Sequence, residues 1–238
     1  MTNQATGLSI ATVAALIGDV ARSNILHALM GGKALTATEL AHHAGVSAPT
    51  TSGHLARLVD GKLVLMEKQG RHRYFRLASP AVAEILEGLG NLAAAGPARH
   101  RPTGPKDLAM RHARTCYDHM AGRIAVALTD SLTERGLIII EDRSGLVTDD
   151  GRRFFAGFGI DLESKPRTAR PLCRTCLDWS ERRMHLGGRL GASLLARSIE
   201  RGWVRTIRDS RALEVTRAGE RGFTETFGIA SEMLRPPR

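Results

Sequence analysis

Residues 36–60 read TATELAHHAGVSAPTTSGHLARLVD, and this stretch carries the start and stop signals of two consecutive short helices. Thr36 is followed three residues later by Glu39, which is the capping-box pattern that begins a helix. Gly45 is placed to end that helix, because glycine readily adopts the left-handed conformation that closes many helices. Ser47 then caps a second helix, which is predicted to run to the end of the stretch. The pattern therefore predicts a helix, a tight turn and a helix.

The residues on either side add a helix upstream and a basic hairpin downstream. Apolar residues recur at helical spacing from Ile10 to about Met30. Two strand-like runs, Leu63–Glu67 and Arg73–Leu77, flank the basic segment Lys68–His72. A further helix is predicted over Pro80–Leu92. This order of helix, helix, turn, helix and basic hairpin is that of a winged helix-turn-helix.

The polar side of the second helix and the tip of the hairpin are the predicted DNA-reading surfaces. Small hydroxyl side chains near the N-terminal end of a helix suit entry into the major groove, where they reach phosphates and base edges. Basic side chains at a hairpin tip suit the neighbouring phosphate backbone or the minor groove. The predicted DNA-binding residues are Ser47, Thr50, Thr51, His54, Arg57, Arg71, His72 and Arg73. The competing interpretation is that these are solvated polar residues on an ordinary helical hairpin.

Three segments together resemble the ArsR-type winged-helix repressors. These segments are Asp19–Leu26, Thr36–Ala41 and Gly45–Leu55, and the hairpin that follows extends the match to about residues 10–92. The resemblance implies a transcriptional repressor that binds double-stranded operator DNA. It also implies a homodimer with the terminal helices of the winged domain in the interface. The candidates for that interface are the apolar helices predicted at residues 11–29 and 80–92.

The metal sites usual in this family do not carry over to these residues. Many such metal sensors have a Cys-x-Cys in the first helix of the motif, where this chain has Glu39-Leu-Ala-His-His-Ala44. The Asp/His pair that others carry on the last helix of the winged domain is missing from residues 80–92. Any inducer site is therefore expected in the C-terminal half.

The composition favours a cytoplasmic protein with a polyanionic partner. The 238 residues carry a formal net charge of +10, and the basic residues are spread along the whole chain. The longest apolar runs, such as Leu137–Ile140, are too short to cross a bilayer, and the first residues lack the pattern of an export signal. No membrane association is therefore expected, and the three cysteines are expected to be reduced.

The C-terminal half is predicted to be a separate, duplicated domain. A segment rich in glycine and proline, residues 93–105, is the predicted linker between a DNA-binding domain at 1–92 and an effector-sensing domain at 106–238. Within the latter, the motifs between His119 and Ile160 recur in the same order between His185 and Ile229. Each copy is predicted to be helix, strand, turn, strand, helix. The predicted fold class is α+β, with a winged helix-turn-helix and a C-terminal domain of two helix-strand-strand-helix repeats.

Thiols, imidazoles and charged groups cluster at the start of each copy. On a helix predicted around residues 111–127, a single stripe would contain His112, Cys116, His119 and Arg123. A similar stripe in the second copy would contain Asp178, Glu181, Arg182 and His185. If the copies pack around a pseudo-twofold axis, the effector or metal residues that converge are Cys116, His119, Cys176, Asp178 and His185. Thiolate and imidazole donors suit zinc, or a thiophilic metal ion or metalloid.

Four other interpretations of the C-terminal half remain open at this point. The repeated polar residues fit a buried hydrogen-bond network that holds the copies together. An organic inducer fits a site lined by Tyr117, Arg123, Trp179, Arg182 and Arg189. Cys173 and Cys176 fit a redox pair. The alternative function is a thiol-dependent enzyme fused to the DNA-binding domain, with Cys116 or Cys176 as nucleophile and a histidine as base. No flanking nucleophile motif supports that enzyme, so a non-enzymatic regulator is the leading hypothesis.

Overall fold

A computed structural model describes residues 6–95, 108–141, 144–163, 170–208 and 210–235. The chain divides into two compact units, Met1–Gly88 and Leu89–Arg238. The predicted linker begins inside a helix, since residues 93–95 continue the helix that was expected to end at Leu92. Residues 96–105 of that linker lie outside the described ranges.

The N-terminal part of the chain forms a small three-stranded sheet within a set of helices. Its elements are α1 (Gly7–Ile17), α2 (Val20–Leu29), β1 (Leu35–Thr36), α3 (Ala37–Ala44), α4 (Ala48–Asp60), β2 (Val64–Gln69), β3 (His72–Leu77) and α5 (Pro80–Ala95). The strand order β1-β3-β2 is antiparallel throughout, which is the sheet of a winged helix-turn-helix. The predicted winged fold is therefore confirmed.

The single helix predicted upstream of the motif is wrong, because the structure has two helices there. Gly18 closes α1, and the side chain of Asp19 then caps α2 by accepting a hydrogen bond from the Arg22 amide at 2.9 Å. A carboxylate at this position satisfies an amide that the first turn of a helix leaves without a partner. The helical apolar period continues across the break, which concealed it in the sequence.

The two helices of the motif begin and end where their capping residues predict. The Thr36 amide donates to Glu39 Oε2 at 2.6 Å, and the Glu39 amide donates to Thr36 Oγ1 at 3.4 Å, which completes the capping box. Gly45 has φ +69° and ends α3 in the left-handed conformation. Leu40 on α3 and Leu55 on α4 are buried and pack the two helices into the core of the unit.

Among the described residues, no single helix is long and apolar enough to cross a membrane. The pair α1 and α2, which are bent by 82° relative to each other, passes that test by length and composition only when the two are taken together.

The C-terminal unit consists of two copies of one arrangement. Its elements are α6 (Leu108–His112), β4 (Arg114–Cys116), β5 (His119–Ala121), α7 (Arg123–Glu134), β6 (Ile138–Glu141), β7 (Ser144–Val147), α8 (Asp149–Phe158), β8 (Cys173–Leu177), β9 (Met184–Gly187), α9 (Gly188–Glu200), β10 (Val204–Thr206), β11 (Leu213–Val215), α10 (Arg217–Phe227) and α11 (Ser231–Leu234). The predicted helix-strand-strand-helix repeat is confirmed as α7-β6-β7-α8 and α9-β10-β11-α10. Each copy also has a short hairpin in front, so the long helix predicted over residues 111–127 is wrong.

Each copy pairs and packs its strands and helices with those of the other copy. In one sheet the order is β6-β7-β8-β9, so the second hairpin of the first copy pairs with the first hairpin of the second copy. On the other side of the unit, Arg114 on β4 forms a bridge with Ala212, the residue just before β11. The Leu213 amide at the start of β11 also donates a hydrogen bond to the Ala113 carbonyl at 2.9 Å. Helix α9 packs on β5, and α7 packs on β9. Neither copy therefore forms its core without the other.

The repeated motif Val-Thr-x-x-Gly positions the second helix of each copy. Thr148 Oγ1 donates to the Gly136 carbonyl and accepts from the Gly151 amide, and Thr216 makes the same contacts with Gly202 and Gly219. A Cβ atom on Gly151 would lie 2.0 Å from the Leu137 carbonyl oxygen. The motif recurs because both copies need this close approach of helix to strand.

Candidate functional site

The N-terminal half of α4 presents polar side chains to solvent. Ser47 and Thr50 are exposed, and their hydroxyl oxygens lie 2.8 Å apart at the start of the helix. Arg57 is exposed further along the same helix, whereas Leu55 and Leu58 are buried beneath it. This face can reach a phosphate or a base edge without any rearrangement of the core.

Two of the predicted DNA-binding residues on α4 point elsewhere. Thr51 is fully buried, and its hydroxyl donates to the Ser47 carbonyl at 2.9 Å, so it cannot reach a base edge. The prediction for Thr51 is therefore wrong: it lies on the inward side of the helix. The side chain of His54 is 15% exposed and lies 3.5 Å from the Arg22 guanidinium and 3.9 Å from Asp19. This contact ties α4 to the start of α2.

The wing is a tight hairpin with basic side chains at its tip. Strands β2 and β3 stay paired up to Gln69 and His72, so the loop is shorter than the basic segment suggested. Gly70 takes φ +59° in this turn, a conformation that costs glycine little. Arg71, His72 and Arg73 are all exposed there, and Arg71 Nε lies 3.4 Å from His72 Nε2.

In the C-terminal unit, each copy places one cysteine directly opposite one histidine across a hairpin. Cys116 on β4 pairs with His119 on β5, and Cys176 on β8 pairs with His185 on β9. Residues opposite each other in an antiparallel pair have neighbouring side chains. The unequal sequence spacings, three residues in one copy and nine in the other, therefore describe the same pair with turns of different length.

The two cysteine–histidine pairs meet at the junction of the copies. His119 Nε2 lies 3.2 Å from His185 Nε2, and the two rings stack with centroids 5.2 Å apart. The sulfur of Cys116 lies within 4.8 Å of a ring nitrogen of each histidine, and the sulfur of Cys176 lies within 4.8 Å of a ring nitrogen of His119. All four residues are buried. Residues far apart in sequence thus form one thiol–imidazole cluster.

On the outer side of the cluster, each histidine faces an aspartate that is paired with an arginine. His119 Nδ1 lies 3.3 Å from Asp118 Oδ1, and both oxygens of Asp118 accept hydrogen bonds from the Arg170 guanidinium. His185 Nδ1 lies 3.5 Å from Asp178 Oδ2, which accepts a hydrogen bond from Arg114 at 2.9 Å. Metal-binding histidines in proteins have this arrangement, because the outer carboxylate orients the ring.

The ionisation states of His185 and Asp178 follow from the complete burial of both side chains. Burial lowers the pKa of His185 well below its usual range, aided by His119 and Arg114, so the imidazole is neutral at neutral pH. Burial raises the pKa of Asp178, but the charge of Arg114 outweighs it, together with hydrogen bonds from the Gly122 amide and the Ser180 hydroxyl. The pKa of Asp178 therefore lies below its ordinary value, and the carboxylate stays ionised.

Sequence reasoning found the four residues of the cluster, and Asp178 beside it, but missed the other partners that support them. Asp118 was matched to Asp178 as a repeated position but not assigned to the site, and Arg114 and Arg170 were not identified. A signal for the first two was present, because Arg-Thr-Cys-x-Asp occurs at residues 114–118 and again at 174–178. Arg170 lies outside the repeated motif and could not be found from it.

The two predicted helical stripes do not exist, although Cys116, His119 and His185 come together in the cluster. His112 ends α6, where its Nε2 lies 3.1 Å from the Leu234 carbonyl oxygen, and Arg123 is exposed at the start of α7. Glu181 and Arg182 lie in the turn between β8 and β9. The stripes were misread because a hairpin with a two-residue turn can mimic helical spacing over a short stretch.

Three of the residues suggested for an organic inducer are exposed or already covered by another side chain. Arg123 and Arg182 are exposed, and the Trp179 ring is covered by the Arg114 guanidinium at 4.4 Å.

A redox pair between Cys173 and Cys176 is incompatible with the fold. Both lie on β8, where residues three apart point to opposite faces and have Cα atoms about 10 Å apart. A disulfide requires Cα atoms closer than about 7 Å. Burial also raises the pKa of Cys173 to about 11, which leaves it as an inert thiol. None of the three cysteines forms a disulfide, and all three are buried, which does not favour a nucleophile that must meet a substrate.

Several known proteins are similar in sequence to this chain or to its N-terminal part. The family "Bacterial regulatory protein, arsR family" matches residues 19–64. A solved homodimeric winged helix-turn-helix DNA-binding domain, Mb0332 from Mycobacterium bovis, is 24% identical, with coverage of 39% of this chain and 90% of that chain and a TM-score of 0.34. The arsenical resistance operon repressor of Staphylococcus aureus is 32% identical over 80 residues, 34% of this chain and 76% of the repressor. The uncharacterized HTH-type transcriptional regulator YdfF of Bacillus subtilis (strain 168) is 38% identical over 221 residues, 93% of this chain and 98% of YdfF. On the strength of the last two relatives, each matched over most of its length, this chain belongs to the arsR family of HTH-type transcriptional regulators.

Proposed function

We propose that this regulator is a cytoplasmic repressor that binds double-stranded operator DNA as a homodimer and responds to an effector through its C-terminal unit. The observation that carries the DNA-binding part is the exposed polar face of α4 next to the exposed basic tip of the β2–β3 wing. Two surfaces of one winged helix-turn-helix then contact adjacent parts of a duplex.

The two surfaces have different tasks in this proposal. Ser47 and Thr50 enter the major groove at the N-terminal end of α4, where short hydroxyl side chains reach both phosphates and base edges. Arg57 on α4 and Arg71 at the wing tip neutralise phosphates. His72 and Arg73 add to the positive charge of the wing.

Support for a homodimer comes from apolar surface that the N-terminal unit leaves exposed. None of the residues of α1 is buried, and Leu8 and Ile10 are 79% and 61% exposed. Ile85 on α5 is 50% exposed. Several large apolar side chains left exposed on the terminal helices are candidates for burial in an interface. A second copy of the chain covers it in the proposed dimer, as the terminal helices do in the family that the sequence resembles.

Support for an effector response comes from the thiol–imidazole cluster of the C-terminal unit. The group consists of buried polar and ionisable side chains: Cys116, His119, Cys176, Asp178 and His185. Packing alone does not require such side chains, since apolar residues would fill the same volume more stably. We assign the effector site to these residues.

The test of DNA binding is a fluorescence anisotropy titration at several salt concentrations. Replacing Arg71 by alanine should weaken binding to all sequences and lower the slope of log affinity against log salt by about one. The control is Arg217→Ala, which removes the same charge from an exposed position at the start of α10 and should leave the slope unchanged. A footprint of the native protein should show two inverted half-sites about 10 bp apart, or a multiple of that distance.

A double variant decides the binding mode. If Arg57→Ala combined with Arg71→Ala left both affinity and salt slope unchanged, the winged helix would not be the DNA-binding surface. A single protected half-site bound tightly by a monomer would contradict the dimer.

A further inference from the structure

The side chains that meet at the junction of the two copies are two thiols and two imidazoles, and each copy contributes one of each. All four residues are buried, and each histidine has an aspartate on its outer side, 3.3 Å from His119 Nδ1 and 3.5 Å from His185 Nδ1. Four protein ligands with oriented histidines describe a closed metal site rather than a catalytic one.

We propose that Cys116, His119, Cys176 and His185 bind one divalent zinc-class cation in a four-coordinate site that links the two copies. This names the ligand of the proposed effector site, and only its regulatory meaning rests on the proposed function. Zinc binding itself requires nothing of the DNA-binding unit.

The distance between the two imidazoles fits this site. Two nitrogens bound to zinc at about 2.0–2.1 Å and a tetrahedral angle lie about 3.3 Å apart. The observed separation of the two Nε2 atoms is 3.2 Å. Cys116 Sγ lies within 4.8 Å of a ring nitrogen of each histidine, and Cys176 Sγ lies within 4.8 Å of a ring nitrogen of His119. The two sulfur atoms are therefore the ligands that must move toward the centre to complete the tetrahedron.

The outer aspartates are placed to orient both rings toward a cation. A neutral imidazole carries one N–H, and a carboxylate beside Nδ1 favours that hydrogen on Nδ1. His119 Nδ1 lies 3.3 Å from Asp118 Oδ1, whereas His185 Nδ1 lies 3.5 Å from Asp178 Oδ2 and is a buried atom without a hydrogen bond. A cation that accepts the lone pairs of both Nε2 atoms, which lie 3.2 Å apart, places both hydrogens on Nδ1 and gives His185 Nδ1 a donor role toward Asp178.

The charge of the site also selects the ion. Two thiolates and a divalent cation sum to zero, and the Asp118–Arg170 and Asp178–Arg114 pairs are neutral in themselves. The Arg174 guanidinium, 4.0 Å from Cys176 Sγ, adds a positive charge that favours the thiolate form of that cysteine. A buried position tolerates charges that are balanced by close partners. A tetrahedral set of two sulfurs and two nitrogens is typical of zinc, whereas magnesium and calcium prefer oxygen ligands.

The first test measures metal in the full-length protein. Protein purified under reducing conditions with zinc in the medium should contain one zinc per chain by inductively coupled plasma mass spectrometry. The single variants Cys116→Ser and Cys176→Ser should each retain less than about a tenth of that zinc, because a hydroxyl does not replace a thiolate ligand. The control is Cys173→Ser, since Cys173 is a buried thiol on the same strand as Cys176 but outside the cluster, and it should retain zinc fully.

A second test avoids any question of whether a variant folds. Native protein stripped of metal and titrated with Co(II) should develop sulfur-to-cobalt charge-transfer bands and the intense visible bands of a tetrahedral ion, saturating at one cobalt per chain. Asp118→Asn, which alters the partly exposed carboxylate beside His119 Nδ1, should keep this stoichiometry but weaken zinc binding about 10–100-fold, as loss of an outer carboxylate does.

The proposal is overturned if the native protein binds neither zinc nor cobalt stoichiometrically, or if zinc remains in the Cys116→Ser/Cys176→Ser double variant. Operator binding is measured separately with and without zinc. Stoichiometric zinc that has no influence on operator binding would uphold the metal site and refute the effector role assigned to it.

Discussion

Replacing Arg114 by methionine should destabilise the C-terminal unit far more than loss of any exposed ion pair. The Arg114 side chain is fully buried, and it donates to Asp178 at 2.9 Å and to the Met110 carbonyl and Ser180 hydroxyl at 3.1 Å each. Methionine fills much of the same volume but leaves the Asp178 carboxylate buried without its cation. The unfavourable free energy therefore comes from a stranded charge rather than from a cavity.

The remaining contacts of Asp178 set the magnitude. Breaking a buried ion pair by removing one partner typically costs about 3–5 kcal/mol. Asp178 keeps hydrogen bonds from the amides of Gly122 at 2.6 Å, Ser180 at 2.9 Å and Glu181 at 3.1 Å. These donors still stabilise the carboxylate, so we expect the lower end, about 3 kcal/mol. For a unit of this size that corresponds to a fall in Tm of about 6–12 °C.

The assay is urea and thermal unfolding followed by tryptophan fluorescence in one zinc-saturated buffer. Both tryptophans of the chain, Trp179 and Trp203, lie in the C-terminal unit, so the signal reports its unfolding alone. Arg114 covers Trp179, so the midpoint rather than the amplitude of the transition is compared. The matched control is Arg183→Met, which breaks a pair with Asp130 in which the arginine is 60% exposed.

The control variant should lose no more than about 1 kcal/mol, because exposed ion pairs are weak. Equal midpoints for Arg114→Met and Arg183→Met would refute the reasoning, since burial would then make no difference to the pair.

Two further pairs of substitutions test the packing of α8 and the DNA-binding face of α4. Gly151→Ala should lower the free energy of unfolding by about 1–3 kcal/mol in the same urea assay, because its Cβ would lie 2.0 Å from a backbone oxygen. Gly157→Ala on the same helix has open space around it and should stabilise by up to about 1 kcal/mol; equal effects of the two would contradict the packing argument. Thr50→Ala should change operator sequence preference by about 1–3 kcal/mol per lost base contact in competition binding. Buried Thr51→Ser should leave preference unchanged, and a shift there would mean that α4 presents a different face to DNA.

The prediction of the winged helix succeeded because its signals are local. A capping box at Thr36 and Glu39, a left-handed glycine at 45 and a cap at Ser47 each depend on residues within one turn of the helix they delimit. The errors there were also local. Thr51 was placed on the reading face because its residue type suits DNA, whereas the rotation of α4 over Leu55 and Leu58 turns it inward.

The C-terminal unit was predictable only as a repeat. Its duplicated motifs revealed two copies of helix, strand, strand and helix, because the Thr-x-x-Gly contacts are made within each copy. The leading hairpins were misread as helix, since strands of three residues such as β4 and β5 are too short to show an alternating pattern.

The sequence by itself therefore determined the winged helix-turn-helix, the α+β duplication and the identity of the thiol and imidazole side chains in the cluster. The tertiary structure decided how those side chains meet. Cross-strand pairing places Cys176 opposite His185, although the two are nine residues apart in the sequence. Packing of each copy against the other brings His119 Nε2 within 3.2 Å of His185 Nε2. Contacts between residues dozens of positions apart arise from pairing and packing of the whole unit, and no local pattern of residue types encodes them.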